Sequence, residues 1–409
     1  MKILFFTDNF PPEVNAPASR TVEHCRRWVA LGHQVTVITC APNFPTGKVF
    51  AGYRNRLWQR EEMNGISVIR VWSYIAPNEG FFRRIVDYMS YMAMAILIAP
   101  LAGKPDIIVG TSPQLFTACA AWFTGLWRRV PYVFELRDLW PESIKTVGAM
   151  KQSFIIDWLE RLELFLYRRA AMVVAVTHSF KRNLIDRGIS SDKIEVITNG
   201  VDLTSFTPRA KDRALGQRHG LAGHFVAGYI GTHGMAHALE TLVEAAALLA
   251  ADPRGQNIKM LFVGDGAAKA AVVAQTKEKS LGNVIFVDSV DKAEVVGYWA
   301  LLDCAVIHLK NTPLFQTVIP SKIFESMAMG VPILLGVAGE AAEIVRSHDA
   351  GLTFVPEDAT DLAEKLITLA SQPMLCDKLS AHGIIAARAF DRTSLADAMV
   401  ALLQSAATA

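Results

Sequence analysis

The sequence predicts an α/β protein built from two successive parallel-sheet domains. Short apolar runs alternate with longer segments of helical periodicity along the whole chain, a pattern typical of strand–helix units in a parallel sheet. The chain has 409 residues, of which 51% are hydrophobic and 20% charged. That length fits two domains of roughly 200 residues, each with its own buried core.

The first half of the chain predicts a series of short buried strands separated mostly by amphipathic helices. The strands are short apolar runs bounded by polar or turn-forming residues, and the helices repeat their apolar positions every three to four residues. We predict strands at 2–6, 34–39, 67–71, 107–110, 132–136, 172–176 and 194–197, and helices at 20–31, 82–99, 116–127, 154–169 and 179–187.

The same pattern restarts after residue 200. Strands are predicted at 224–230, 260–264, 284–287, 305–309, 333–335 and 351–354, again alternating with helices, and a last helix is predicted at 394–406. The polar segment 207–220 marks the start of the second series. We therefore predict a first domain over 1–200, a second over 201–390 and a closing helical segment over 391–409.

Composition limits the classes of partner. The formal net charge is +2, and no basic stripe is interleaved with aromatic residues, so nucleic acid is not an expected partner. The five cysteines are scattered, with no C-x-x-C pair and no metal-ligand spacing. They are expected to be reduced, buried thiols of a cytoplasmic protein, with no metal site.

One apolar stretch, 85–101, invites comparison with a membrane span. Asp87 interrupts it, Ser90 dilutes it and Pro100 ends it, whereas a span needs roughly 20 mostly apolar residues. A transmembrane helix is therefore not predicted. We expect a buried domain helix, and a surface-lying amphipathic helix preceded by Arg83 and Arg84 is the alternative. The apolar run at the N-terminus is too short for a signal peptide.

The segment 316–332 carries the most informative pattern. Its sequence QTVIPSKIFESMAMGVP predicts a loop broken at a proline, one short helix and a glycine–proline stop. Ser321 is the expected N-cap, Gly330 suits the left-handed C′ position, and Glu325 lies in the first turns, where the helix dipole tolerates a carboxylate. Such a carboxylate could hold a sugar diol; the alternative is an ordinary solvated glutamate on a buried helix.

Two further motifs follow predicted strands. Gly231-Thr232-His-Gly-Met-Ala-His237 lies between a strand and an apolar helix, where backbone N–H groups and the helix N-terminus favour phosphate; a tight turn would explain the glycines equally well. Glu135-Leu-Arg137-Asp138-Leu-Trp-Pro-Glu142 follows another strand, at the end where open α/β sheets place function. A structural Arg–Asp pair is the alternative there.

These motifs, in this order, resemble the retaining glycosyltransferases of family 4, which have the GT-B fold. The resemblance extends to 7–13, 32–37, the hinge-like Asn199-Gly-Val-Asp202 and Val263-Gly-Asp-Gly266, and it covers essentially the whole chain. It implies two Rossmann-like domains facing a cleft and a C-terminal helix that crosses back to the first domain. The form Pro-Ser-Lys-x-x-Glu-x-Met-Ala is similar to a subgroup that assembles bacterial surface polysaccharides, including N-acetyl-fucosamine transferases.

The resemblance also assigns donor-binding residues, and the chain departs from the family at three of them. Glu325 matches the second of two family glutamates, the one that binds the nucleotide ribose, but Thr317 replaces the first. Thr232 and His237 replace the arginine and lysine that hold the diphosphate near Gly231. We consider two sources of the missing charge, a protonated His237 or Lys322, which is adjacent to Ser321, and we favour Lys322. Thr317 would suit a deoxy or differently configured sugar.

The acceptor side is assigned in the same way. By analogy, the loop 9–20 would contribute Glu13, Asn15 and Arg20, with Arg137 beside them. Asp138 or Glu142 would orient the acceptor hydroxyl or take its proton, which requires a carboxylate within hydrogen-bond reach.

The resemblance implies a hexosyltransferase without a cofactor. The sequence contains no Asp-x-Asp motif, so we expect it to be metal-independent. It would move a sugar, expected to be an N-acetylated or deoxy hexosamine, from a UDP-sugar to a growing cell-surface polysaccharide or a polyprenyl-linked saccharide. Lipopolysaccharide, O-antigen or capsule assembly is the expected pathway, with peripheral contact at the inner face of the cell membrane. The alternatives are a nucleotide-sugar 2-epimerase and a non-catalytic nucleotide-sugar-binding protein. A dinucleotide oxidoreductase is disfavoured because no G-x-G-x-x-G follows the first strand.

Overall fold

The computed structural model describes residues 1–44, 46–75, 81–139 and 154–408. The chain divides into two compact units, one formed by Met1–Asn199 with Arg392–Ala409 and the other by Gly200–Asp391. We call them the N-terminal unit and the second unit, and each is built on its own sheet. Both are α/β, as the alternation of strands and helices predicts.

The N-terminal unit holds an eight-stranded sheet in the order β3-β4-β2-β1-β5-β6-β7-β8. All neighbours are parallel except β3, which pairs antiparallel with β4. Its strands are β1 Lys2–Phe6, β2 Gln34–Cys40, β3 Trp58–Met63, β4 Ile66–Val71, β5 Ile107–Thr111, β6 Tyr132–Leu136, β7 Met172–Ala175 and β8 Ile194–Val196.

Helices cover both faces of this sheet in the described part of the unit. They are α1 Ala16–Ala30, α2 Phe81–Ile98, α3 Leu115–Arg128, α4 Phe154–Arg169, α5 His178–Asp186 and, from the far end of the chain, α14 Arg392–Thr408. One core cluster packs α2, α3 and α4 against the sheet, and the other packs α1 and α14. The C-terminal helix is fixed to α1, because Trp28 donates its indole N–H to the Ala396 carbonyl at 2.9 Å.

Two local features differ from the sequence prediction. Strand β3 was not predicted, because its sequence WQREEM carries three charges; these are tolerated on an edge strand. Helix α1 begins at Ala16, four residues before the predicted start. Asn15 caps it by accepting the Ala18 N–H at 2.9 Å, and Pro17 fits its first turn.

The second unit holds a six-stranded, all-parallel sheet in the order β11-β10-β9-β12-β13-β14. The strands are β9 Phe225–Ile230, β10 Ile258–Val263, β11 Val284–Val287, β12 Cys304–His308, β13 Ile333–Gly336 and β14 Gly351–Thr353. The helices are α6 Arg213–Arg218, α7 Leu239–Ala251, α8 Lys269–Glu278, α9 Lys292–Leu301, α10 Lys322–Met329, α11 Glu340–Ser347, α12 Ala359–Ser371 and α13 Pro373–Ala387.

Helix α2 corrects the expectation of a buried domain helix. Tyr91, Ala95 and Ala99 on one side are fully buried, but Val86 and Leu97 on the other side are exposed. Of the described helices, the stretch Arg83–Ala102 is long and apolar enough to cross a membrane by length and composition alone. Burial of its inner face shows that this helix is an integral part of the N-terminal unit.

Candidate functional site

Strand order places a ligand site in the second unit. Successive strands lie on one side of β9 up to β11 and on the other side from β12 onward. In open parallel sheets the crevice outside the carboxyl ends of the strands at such a reversal is where ligands bind. The turn Gly231–His237 leaves β9 at this point, and it is joined to the end of β12 because Lys310 donates its backbone N–H to the Ala236 carbonyl at 2.9 Å.

Glycines let the neighbouring loops approach each other here. Gly231 has φ +134° and Gly264, after β10, has φ +139°. A Cβ on Gly264 would lie 2.0 Å from the Gly231 carbonyl oxygen, a distance that no side chain can adopt. Glycine is therefore needed at this contact for both space and backbone conformation.

Lys322 reaches this turn from the start of α10. Its ammonium lies 3.8 Å from the centre of the Tyr229 ring. A Cβ on Gly231 would lie 2.4 Å from Lys322 Cε and 2.9 Å from Nζ, so the lysine stem occupies the space that glycine leaves. Burial lowers the pKa of Lys322 to about 7, and the charge of Glu325 opposes this effect only in part.

Tyr229 contacts Lys322 and both histidines of the turn, and the sequence analysis did not single it out. Its buried ring lies under Lys322, with the His233 ring centre at 5.7 Å and the His237 ring centre at 5.8 Å. Its hydroxyl donates to the Thr232 carbonyl at 2.7 Å. A tyrosine in a buried strand looks like an ordinary core residue in the sequence, and its position one residue before the strand ends was the available signal.

The two histidines of the turn are held neutral. Burial and the charge of Lys322 lower the pKa of His237 to about 3, and burial and Lys269 lower that of His233 to about 4. His237 Nδ1 lies 3.4 Å from the His308 carbonyl oxygen. Among the described residues neither ring nitrogen of the fully buried His233 has a hydrogen-bond partner. Of the two proposed sources of positive charge, this environment disfavours a protonated His237, whereas Lys322 titrates near neutral pH.

The rest of the 316–332 segment forms as a short helix with defined ends. Gly330 ends α10 in the left-handed conformation, φ +67°. Ser321 occupies the predicted N-cap position, but its side chain makes no capping hydrogen bond. Glu325 lies in the first turn of α10, and the Thr317 hydroxyl donates to the Leu314 carbonyl at 2.7 Å.

The acceptor-side residues proposed from the sequence are held largely by their own protein. Glu13 is buried and accepts the backbone N–H groups of Asn43 and Phe44, both at 2.8 Å. Asn15 caps α1, as described above. Arg20 is buried against Glu135 at 3.0 Å and also donates to the Thr198 carbonyl at 2.7 Å. These contacts give the three residues a structural part in shaping the loop.

Arg137 and Asp138 follow β6, at the carboxyl end of the sheet, where the loop after β1 also lies. Arg137 donates to the Pro17 carbonyl at 3.1 Å, and burial lowers its pKa to about 10. The backbone N–H of Asp138 donates to Ser112 Oγ at 3.3 Å. Glu142, the other proposed catalytic carboxylate, lies outside the described residues.

Asp8 is a candidate that sequence reasoning did not single out. It follows β1, where the first sheet reverses its strand order between β1 and β5, and it accepts a hydrogen bond from Gln114, which follows β5. Burial raises the pKa of Asp8 to about 7, and the nearby Asp87 and Glu13 charges add to this. Within the described ranges, no group of three or more metal-ligating side chains lies close enough to hold an ion.

Comparison with known proteins identifies the class of the chain. Residues 15–200 match a glycosyl transferase 4-like domain, and residues 224–372 match the glycosyl transferases group 1 model. The chain is 24% identical over 338 residues to WcaI of Escherichia coli, named as a colanic acid biosynthesis glycosyl transferase, covering 81% of this chain and 82% of WcaI. It is 25% identical over 412 residues to a GDP-mannose-dependent alpha-mannosyltransferase of Mycolicibacterium smegmatis, covering 93% and 96%.

Among solved structures, HepE of Anabaena, determined with UDP and glucose, has the same fold. The TM-score is 0.74 at 20% identity, and the match covers 99% of this chain and 100% of HepE. This structural match shows the GT-B fold. Because the two family models match residues 15–200 and 224–372, the chain belongs to the family 4 glycosyltransferases and is a glycosyltransferase. The expectation drawn from the order of its motifs is confirmed.

Proposed function

We propose that the protein transfers a sugar, with retention of configuration and without a metal ion, from a UDP-sugar to a growing cell-surface polysaccharide or lipid-linked saccharide. An N-acetylated or deoxy hexosamine is the proposed sugar, because Thr317 stands where the family has a carboxylate. The pathway would be lipopolysaccharide, O-antigen or capsule assembly on the cytoplasmic side of the membrane. WcaI, named for colanic acid biosynthesis, supports this pathway class.

The single observation that carries the donor assignment is the position of Lys322. Its ammonium lies against the glycine turn after β9, at the strand reversal where a parallel sheet binds ligands. A diphosphate placed at this turn would meet the lysine ammonium, which would neutralise part of its charge. Glu325, later on the same helix, would then accept hydrogen bonds from the ribose hydroxyls.

The nucleotide is the first property to test. HepE was solved with UDP, whereas the mycobacterial relative is named for GDP-mannose, so both must be compared. We would follow thermal unfolding with UDP, GDP, ADP and CMP, each with and without EDTA. A ligand at 100 times its dissociation constant stabilises the folded state by about 2.7 kcal/mol.

We expect a shift with UDP that exceeds the others and is unchanged by EDTA. A larger shift with GDP would replace the UDP assignment, and loss of the shift in EDTA would contradict metal independence. Incubation of the UDP-binding protein with UDP-sugars should then show slow donor hydrolysis. Nucleotide binding without hydrolysis or transfer would favour the non-catalytic alternative, and release of an epimerised sugar would favour the 2-epimerase.

A further inference from the structure

The outer face of α2 is apolar and exposed. Val86, Met89, Ala93 and Leu97 follow one another along this face, Leu101 continues it in the turn after the helix, and Leu97 is 69% exposed. No charged residue interrupts the stripe. A surface helix of a globular protein normally presents charged and polar residues to water, so this face is built for contact with something other than water.

The inner face fixes how the helix can meet a partner. The Tyr91 hydroxyl donates to the carbonyls of Thr7 at 3.1 Å and Ile38 at 2.8 Å, and Ala95 and Ala99 are fully buried. Removing α2 from the unit would expose this core. The helix can therefore lie along an apolar phase with its outer face, but it cannot cross that phase.

Helix α3 extends the apolar surface beyond α2, against which it packs. Phe123, Leu126 and Trp127 lie on its exposed side, and Trp127 is 59% exposed. Helix α4 joins on the far side, because Trp122 of α3 meets Phe165 of α4 edge to face at 5.0 Å. We call the exposed apolar surface of α2 and α3 the apolar platform, and it comprises Val86, Met89, Leu97, Leu101, Phe123, Leu126 and Trp127.

Positive charge borders the platform where α2 and α3 end. Lys104 lies three residues after Leu101, and Arg128 and Arg129 follow Trp127 directly. Arg128 donates to the Gly103 carbonyl at 2.7 Å, which joins the two helix ends. The acidic residue nearest in sequence, Asp106, is engaged by the Lys2 backbone N–H at 2.6 Å. Apolar residues and tryptophan beside a basic rim are the combination that binds anionic lipid surfaces.

We propose that the apolar platform docks the N-terminal unit on an anionic lipid bilayer, with α2 lying parallel to the membrane plane. The apolar side chains would enter the headgroup boundary, and Lys104, Arg128 and Arg129 would contact lipid phosphates. This inference deepens the proposed function, since it rests on a lipid-linked acceptor that must be reached at a membrane. It assigns that contact to specific side chains.

The test uses the full chain and lipid vesicles. We would measure co-sedimentation with vesicles of phosphatidylcholine alone and of phosphatidylcholine with 30% phosphatidylglycerol, at low and high salt. We expect binding to the anionic vesicles that weakens with salt. The triple variant Leu97→Glu/Leu126→Glu/Trp127→Glu should reduce binding at least tenfold, and Lys104→Glu/Arg129→Glu should remove the preference for anionic lipid.

A matched control is available in the second unit. Met374 and Ile385 on α13 are 87% and 64% exposed, and Met374→Glu/Ile385→Glu should leave vesicle binding unchanged. Thermal unfolding would confirm that each variant is folded. If the triple variant were not folded, the single variant Leu97→Glu would replace it. UDP binding, measured in parallel, should be the same in all of them.

Three results would overturn the proposal. The wild type would fail to bind anionic vesicles, or the platform variants would bind as well as the control. Alternatively, analytical ultracentrifugation without lipid would show a dimer that the triple variant abolishes. The apolar platform would then bind a second copy of this chain instead of a membrane. Loss of UDP binding in the wild type would instead contradict the proposed function, so the two failures are distinguishable.

Discussion

The carboxyl ends of the two sheets share a reversal of strand order but present ionisable groups of different kinds. In the second unit the strand reversal presents a lysine, Lys322, packed on an aromatic ring beside a glycine turn. In the N-terminal unit it presents a carboxyl group, Asp8, with two further acidic residues near it. Burial brings both groups to a pKa of about 7.

The difference shows that the same kind of strand reversal can carry an acidic or a basic ionisable group. A carboxyl whose pKa is raised makes the fold less stable as pH rises towards 7, whereas a lysine whose pKa is lowered makes it less stable as pH falls through 7. Both groups therefore titrate near neutral pH. Under the proposed function, Lys322 would supply a cation to the anionic donor, and Asp8 would lose or keep a proton near the acceptor hydroxyl.

The largest expected effect comes from breaking the framework of the N-terminal unit. Arg20→Ala would leave the buried Glu135 carboxylate without its arginine partner, and such a loss costs roughly 3–5 kcal/mol. Denaturant unfolding measures it. The control is Arg27→Ala on the same helix, because its pair with Asp397 is half exposed and should contribute at most about 1 kcal/mol. Equal effects of the two variants would show that Arg20 is not part of the framework.

The second effect concerns donor binding alone. Lys322→Ala should weaken UDP binding roughly 10- to 100-fold, because a hydrogen bond to a charged group contributes about 1.5–3 kcal/mol. Titration calorimetry measures the change, and Lys322→Arg should retain part of the affinity. Lys378→Ala, an exposed lysine of the same unit paired with Asp349, should have no effect. Unchanged UDP affinity in Lys322→Ala would remove this residue from the donor site.

Asp8 gives a smaller, pH-dependent effect on stability. Its folded-state pKa is raised to about 7, so its stabilising contribution is complete below pH 4 and is lost as pH rises through 7. Asp8→Asn removes the buried charge. At pH 8 its free energy of unfolding should exceed that of wild type by roughly 1–2 kcal/mol, seen as a higher unfolding temperature. The gap should close at pH 4. A gap that is constant from pH 4 to 8 would show that Asp8 does not titrate in this range.

The smallest effect is the pH dependence of UDP affinity. Bound diphosphate should raise the pKa of Lys322 from about 7, so binding takes up a proton and weakens as pH rises. We expect a decrease of about fivefold between pH 7 and 8, where the terminal phosphate stays ionised. Calorimetry in buffers of different ionisation enthalpy would count the protons. Lys322→Arg should flatten the profile; an equally steep profile in that variant would assign the proton to another group.

The sequence alone determined the fold class and the order of its motifs. Short apolar strands alternating with amphipathic helices are a local pattern that needs no knowledge of long-range contacts. The glycines at 231 and 330 are local signals of the same kind. Strand β3 escaped detection because its charged sequence is stabilised only by pairing with β4 at the sheet edge. For α2 the sequence left a buried helix and a surface-lying helix both open, since hydropathy shows that a helix is apolar but not which face has a protein partner.

Only the tertiary structure decided which residues are available for chemistry. Arg20 and Glu13 look like ligand-binding residues in a loop, but burial and close partners hold them within the protein. Lys322, which the sequence favours as the missing cation, lies 91 positions from the glycine turn, and only the fold shows that the two are in contact. The physical reason is that burial and neighbouring charge set a side chain's charge state and reach. Both depend on strands and helices that are distant in the sequence and adjacent in the fold.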